Sequence, residues 1–96
     1  MKHSTIPAVA DHLLRARARI VRNGWRTNGL GSAWGPVCAI GALTLEGGDW
    51  DAAHDLLRDA LPYPTGIINY NDTPGRTKKE ILALFDRAIE LALRAA

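Results

Sequence analysis

The chain has 96 residues, 47% of them hydrophobic and 23% charged, with a formal net charge of +2. That length suits a single domain, residues 1–96, with one core, and the composition is that of an ordinary soluble protein. No apolar run approaches the ~20 residues needed to span a bilayer, the first twenty residues lack the pattern of a secretory signal, and one cysteine cannot form an internal disulfide, so a reducing cytoplasm is the expected setting.

The elements follow in chain order. The first helix is expected from about Ile6 to Asn23, capped by Ser4 or Thr5, with Pro7 in its first turn. Ile6, Val9, Leu13, Ala16 and Ile20 recur at spacings of three and four and make its apolar stripe. Gly24 suits the position just past a helix end. "WRTNGLGSAWG" then reads as a loop, long enough to suggest a role beyond connection. Pro36 opens a short helix to about Glu46, ended by Gly47-Gly48. Asp49 caps a third helix, Trp50 to about Leu61, with Trp50, Ala53, Leu57, Ala60 and Leu61 inward, and Pro62 and Pro64 stop it. Ile67, Ile68 and Tyr70 read as one helical turn. Thr77 and Glu80 form a T-x-x-E capping box for a last helix to about residue 95, with Ile81, Leu84, Phe85, Ala88, Leu91 and Ala92 on its inner stripe.

No segment alternates like a half-buried strand and no hairpin signal joins two strands. The expectation is an all-α fold: a compact bundle of two long outer helices, about 6–23 and 77–95, and two shorter central ones, about 36–46 and 50–61.

Charge is distributed unevenly. Residues 1–35 carry six basic residues against one acidic, a net +5, and residues 36–96 carry six basic against nine acidic, a net −3. Such asymmetry marks a basic face for an acidic partner, or two halves that complement each other within the fold or in a homodimer. Arg15, Arg19 and Arg22 fall at i, i+4 and i+7, roughly opposite the apolar stripe, and Trp25 and Arg26 extend that line. A basic helix face with tryptophans beside it could contact phosphates and stack on bases. It could equally bind a protein surface, or be solvated. The low net charge and the lack of a helix-turn-helix signature weigh against nucleic acid.

Cys38 falls in the first turn expected for the second helix, where free N–H groups and the helix dipole favour a thiolate. A cysteine-dependent hydrolase also needs a base, and His3, His12 and His54 lie on three separate segments outside any recognisable signature. Cys38, Ala39, Gly41 and Ala42 are all small, and Cys is among the most buried residue types, so Cys38 and Gly41 read as structural, letting another backbone approach. A zinc site would need clustered ligands, and "GLGSAWG" lacks the Lys-Ser/Thr ending of a phosphate loop; no metal or cofactor is expected. The Asn69–Thr77 stretch is dense in turn chemistry. In it Asn71 or Asp72 could reach the open N–H groups at the start of the second helix, and an acid there would compete with an activated thiol.

In order, Gly24-Trp25, "VCAIGAL" (Val37–Leu43) and "NDTPGRTKKEILALFDRAIE" (Asn71–Glu90) resemble a family of small proteins from actinobacteria and their phages, whose pattern is a tryptophan, a V-C-A-L-G-A-L helix and an N-D-x-P-G-R-T turn entering a final helix. Here Asn69-Tyr70 stands where that family usually has a tryptophan before the N-D pair. The resemblance implies an accessory protein of a phage or actinobacterium and no activity. Small phage proteins of this kind commonly bind a host protein. Since Trp and Arg are frequent binding anchors, Arg15, Arg19, Arg22, Trp25, Arg26 and Trp34 are the expected contact surface.

Overall fold

The computed structural model describes residues 6–95. The expected caps Ser4 and Thr5, and His3, lie outside those residues. Five helices make up the fold: α1 (Ala8–Asn23), α2 (Ala39–Leu45), α3 (Trp50–Ala60), α4 (Ile67–Asp72) and α5 (Lys78–Arg94). Among the described residues there is no strand, so the fold is all-α.

α1 and α3 pack against α5, and α2 sits against α1 with α3 and α4 beside it. The core is drawn from every helix: Leu13, Ala16 and Ile20 of α1, Ala42 and Leu43 of α2, Ala53 and Leu57 of α3, Ile67 and Tyr70 of α4, and Ile81, Leu84, Phe85 and Ala88 of α5. Their spacing by three and four is what buries one face of each long helix. α5 begins with the capping box: Glu80 N–H donates to Thr77 Oγ1 (3.2 Å) and Glu80 Oε1 accepts from Thr77 N–H (2.9 Å), which satisfies two of the N–H groups that a helix start leaves open.

Several boundaries differ from the sequence expectation, each for a local reason. α1 starts at Ala8, with Pro7 as the flanking residue whose carbonyl accepts from Asp11 N–H (3.0 Å). Ile6 therefore lies ahead of the helix and is exposed. α2 starts at Ala39 rather than Pro36, because the Val37 backbone is engaged elsewhere. Its N–H donates to Gly24 O and its carbonyl accepts from Arg26 N–H, both at 3.1 Å, which holds Val37 outside the helix. Trp50 heads α3 but stays partly exposed, its indole stacked on His54 at 4.8 Å. The isoleucine pair at Ile67 begins a helix of six residues.

Arg76 ties the C-terminal half together. Its guanidinium lies 3.6 Å from the Tyr70 ring centroid, and it donates to Tyr70 O (2.8 Å), Tyr63 Oη (2.8 Å) and Glu80 Oε2 (3.1 Å). A planar fork of donors makes such a multi-way tie where a lysine could not.

Candidate functional site: a pinned loop that displays Trp34

Asn71, in the last turn of α4, is 1% exposed. Its Oδ1 accepts from Trp25 Nε1 (2.8 Å) and from Ala39 N–H (3.1 Å). Its Nδ2 donates to Arg26 O (3.1 Å) and to Asp72 Oδ1 (2.9 Å). Both amide hydrogens and both oxygen lone pairs are used, which fixes the orientation of the amide: exchanging O and N would set donor against donor. Asp72 Oδ1 also accepts from Asn28 N–H (3.0 Å). One buried amide and its neighbour thus tie α4 to both the start of the loop 24–38 and the first N–H of α2.

The rest of the loop is held by backbone and by two glycines. Cys38 N–H donates to Leu30 O (3.2 Å). Gly41, inside α2, faces the Leu30 carbonyl so closely that a Cβ there would collide with it. Gly31 has φ 95°, a region that favours glycine, and its own missing Cβ would strike Pro36 O and Val37 Cα. The strip of small residues in α2 therefore serves the approach of its own chain's loop. At the far end, Gly35 N–H closes a turn on Ser32 O (3.4 Å), and Ala33 O accepts from Arg19 Nη1 (3.2 Å) and Asn23 Nδ2 (3.1 Å). Trp34 follows Ala33 in that turn and is 95% exposed. A large indole is thus displayed at the tip of a loop anchored on both sides, which lowers the ordering cost of using it as a contact.

The arginines divide into two groups. Arg19 Nε lies 2.7 Å from Glu46 Oε2, with both side chains about 15% exposed. Arg15 pairs with Asp11 (2.8 Å) and Glu46 (3.4 Å) and also donates to Gly47 O (2.7 Å). Arg17 makes a forked pair with Asp86 across to α5 (2.6 and 3.3 Å). These three are turned inward to carboxylates, so part of the sequence's charge asymmetry is resolved within the fold. Arg22 and Arg26 are exposed and make no ion pair among the described residues. Of the six residues expected at a contact surface, Arg15, Arg19 and Trp25 are engaged inside the chain, and Arg22, Arg26 and Trp34 face outward.

Cys38 is buried, and it is the capping residue of α2 rather than part of its first turn. Its Sγ accepts from Gly41 N–H at 3.2 Å. Of the N–H groups at this helix start, that of Ala39 is taken by Asn71 and that of Gly41 by Cys38. His12, which the sequence marked only as one of three scattered histidines, is fully buried. It donates from Nε2 to Leu43 O (2.8 Å), while Nδ1 lies against Gly48 and has no hydrogen-bond partner among the described residues. Its role is to satisfy a carbonyl in the last turn of α2, where no intrahelical donor is available. Among the described residues no group of three or more His, Cys, Asp or Glu side chains is placed to hold a metal ion, and no helix is long and apolar enough to cross a membrane.

Two apolar depressions adjoin α2. One, of about 100 Å³, is lined by Leu30, Gly31, Gly41, Thr44 and Leu45. The other, of about 260 Å³, lies between α2, α3 and α4.

No functionally described protein and no solved structure matches the chain. A family match covers residues 4–91, nearly the whole chain. The chain belongs to the family of unknown function DUF6197.

Proposed function

We propose that this protein acts by protein–protein interaction, as an accessory protein of an actinobacterium or its phage that engages a host protein in the bacterial cytoplasm. The observation that carries the reading is Trp34, an indole 95% exposed at the tip of an anchored turn. Leaving so large an apolar group in water forgoes roughly 1.5–3 kcal/mol of burial. A tight turn would accept a small polar residue at no such loss, so a role in contact accounts for the tryptophan. Arg22 and Arg26, exposed and without carboxylate partners among the described residues, belong to the same stretch of chain, which favours an acidic partner surface.

The contact surface proposed is therefore Trp34 with Arg22 and Arg26. Arg15, Arg19 and Trp25 support it from within: Arg19 holds the turn at Ala33 O, Arg15 shares Glu46 with Arg19, and Trp25 holds the loop to Asn71. Nucleic acid is the less favoured partner, since Arg15 and Arg19 of the stripe Arg15–Arg19–Arg22 are paired with carboxylates. Immobilised wild-type protein and a Trp34→Ala/Arg22→Ala/Arg26→Ala variant, both shown to be folded, are exposed to host lysate. A protein retained by the first and not by the second supports the reading; identical retention profiles sink it.

A further inference from the structure

The chain holds two Asn-Gly pairs, Asn23-Gly24 and Asn28-Gly29. In such a pair the glycine has no side chain to shield its backbone nitrogen. That nitrogen can close a five-membered ring on the amide of the asparagine before it. Local sequence treats the two pairs alike, and the fold separates them.

Asn23 is the last residue of α1 and is half-buried. Its Nδ2 donates to Ala33 O (3.1 Å), and the N–H of Gly24 donates to Ile20 O (2.9 Å). Ring closure turns an asparagine backbone out of its helical dihedrals. Here it would break the last hydrogen bond of α1 and release the turn that carries Trp34. Reaction at Asn23 therefore waits for local unfolding.

Asn28 and Gly29 are both exposed. The Gly29 N–H makes no hydrogen bond among the described residues. The Asn28 amide is held by its neighbour, with Nδ2 donating to Thr27 Oγ1 (3.2 Å). The tie from residue 28 to α4 runs from its own N–H to Asp72 Oδ1 (3.0 Å), on the opposite side of Cα from the bond that must turn. The Arg26 guanidinium packs against Gly29, where an added Cβ would lie 2.9 Å from Nη2. A cation there favours the amide anion that the attack requires. The φ of 58° at Asn28 lies in the left-handed region where asparagine is enriched, which accounts for the residue type. Exposure and the unengaged nitrogen of Gly29 supply the reactivity.

We infer that Asn28 is a site of spontaneous deamidation in the folded protein, and that the fold protects Asn23. Water takes the Gly29 amide proton, the nitrogen bonds to Asn28 Cγ, and the side-chain nitrogen takes up a proton and leaves as ammonia. One water then adds to either carbonyl of the succinimide, breaking that C–N bond to give aspartate or an isoaspartyl linkage at position 28. Nothing is oxidised or reduced. Either product sets a carboxylate in the stretch that exposes Arg22 and Arg26, beside the N–H that Asp72 holds.

Tryptic peptides read the two sites separately, because Asn23 is the sole asparagine of residues 23–26 and Asn28 the sole asparagine of residues 27–58. The full chain is incubated in mildly alkaline buffer, folded or in urea, then digested. Mass spectrometry follows the conversion of amide to acid in each peptide. In the folded protein the 27–58 peptide should convert at least roughly tenfold faster than 23–26, because reaction at Asn23 carries the cost of opening. In urea the two rates should converge. A smaller margin in the folded protein, or a margin equally large in urea, overturns the assignment.

Discussion

Trp25 Nε1 donates to Asn71 Oδ1 at 2.8 Å across 46 positions of sequence, and the same oxygen receives Ala39 N–H at 3.1 Å. This shared acceptor makes the loop 24–38, the start of α2 and the end of α4 one unit. Asn71→Ala leaves an indole N–H and a backbone N–H without their partner, at about 1–3 kcal/mol each. The variant should lose about 2–5 kcal/mol of stability in urea titration. A loss below about 1 kcal/mol would mean that the amide is dispensable to the loop.

Gly41→Ala gives a test in which two effects have opposite sign. In an exposed helix interior the change should stabilise by about 1 kcal/mol. Here the added methyl meets the Leu30 carbonyl, and a clash with backbone forces the loop away from α2. We expect a stability loss of about 1–3 kcal/mol, the usual range for overpacking, together with faster hydrogen exchange of Cys38 N–H, whose acceptor is Leu30 O. A stabilised variant with unchanged exchange would contradict the close approach.

Such a site was only partly legible in the sequence. The all-α class and the stripes of α1, α3 and α5 are, because helix periodicity and caps such as Thr77–Glu80 are local signals. Local rules put the start of α2 at Pro36, a good first helical residue, three residues before Ala39. A long-range pairing, Val37 with Gly24 and Arg26, overrides that preference. The arginine stripe reads as an open basic face until Glu46 is brought to Arg15 and Arg19 from 31 and 27 positions away. No spacing rule connects those residues. Nor does any local signal separate Trp25, tied inward by Asn71, from Trp34, turned outward.

The inward and outward arginines should differ in a double-mutant cycle. Arg19 and Glu46 are both mostly shielded, and Glu46 also pairs with Arg15. Arg19→Met with Glu46→Gln should give a coupling of about 1 kcal/mol. Arg22→Met, which touches no carboxylate among the described residues, should stay within about 0.5 kcal/mol of wild type. Equal losses for Arg19 and Arg22 would refute the division.

The capping box gives the protein a pH-dependent element. Glu80 is held below the usual carboxylate value chiefly by the Thr77 backbone N–H, with the Thr77 hydroxyl and Arg76 acting in the same direction and partial desolvation opposing them. Between the lowered folded value and the ordinary unfolded one, the unfolded chain binds more protons, so stability rises with pH there. This contribution is complete above the ordinary carboxylate range and is lost as pH falls through the lowered value. Glu80→Gln keeps an acceptor for Thr77 N–H but cannot ionise. Denaturation curves of the two proteins should therefore differ most near neutral pH and converge in acid. A constant difference across pH would place the contribution elsewhere.

The most direct test of the central claim is capture by the outward surface. Trp34→Ala alone should leave stability within about 0.5 kcal/mol of wild type, because the side chain is solvent-exposed. By the proposed reading it should nevertheless fail to retain a host protein that the wild type captures from bacterial lysate. A Trp34→Ala protein that is folded and retains the same host protein as strongly as wild type would contradict the account.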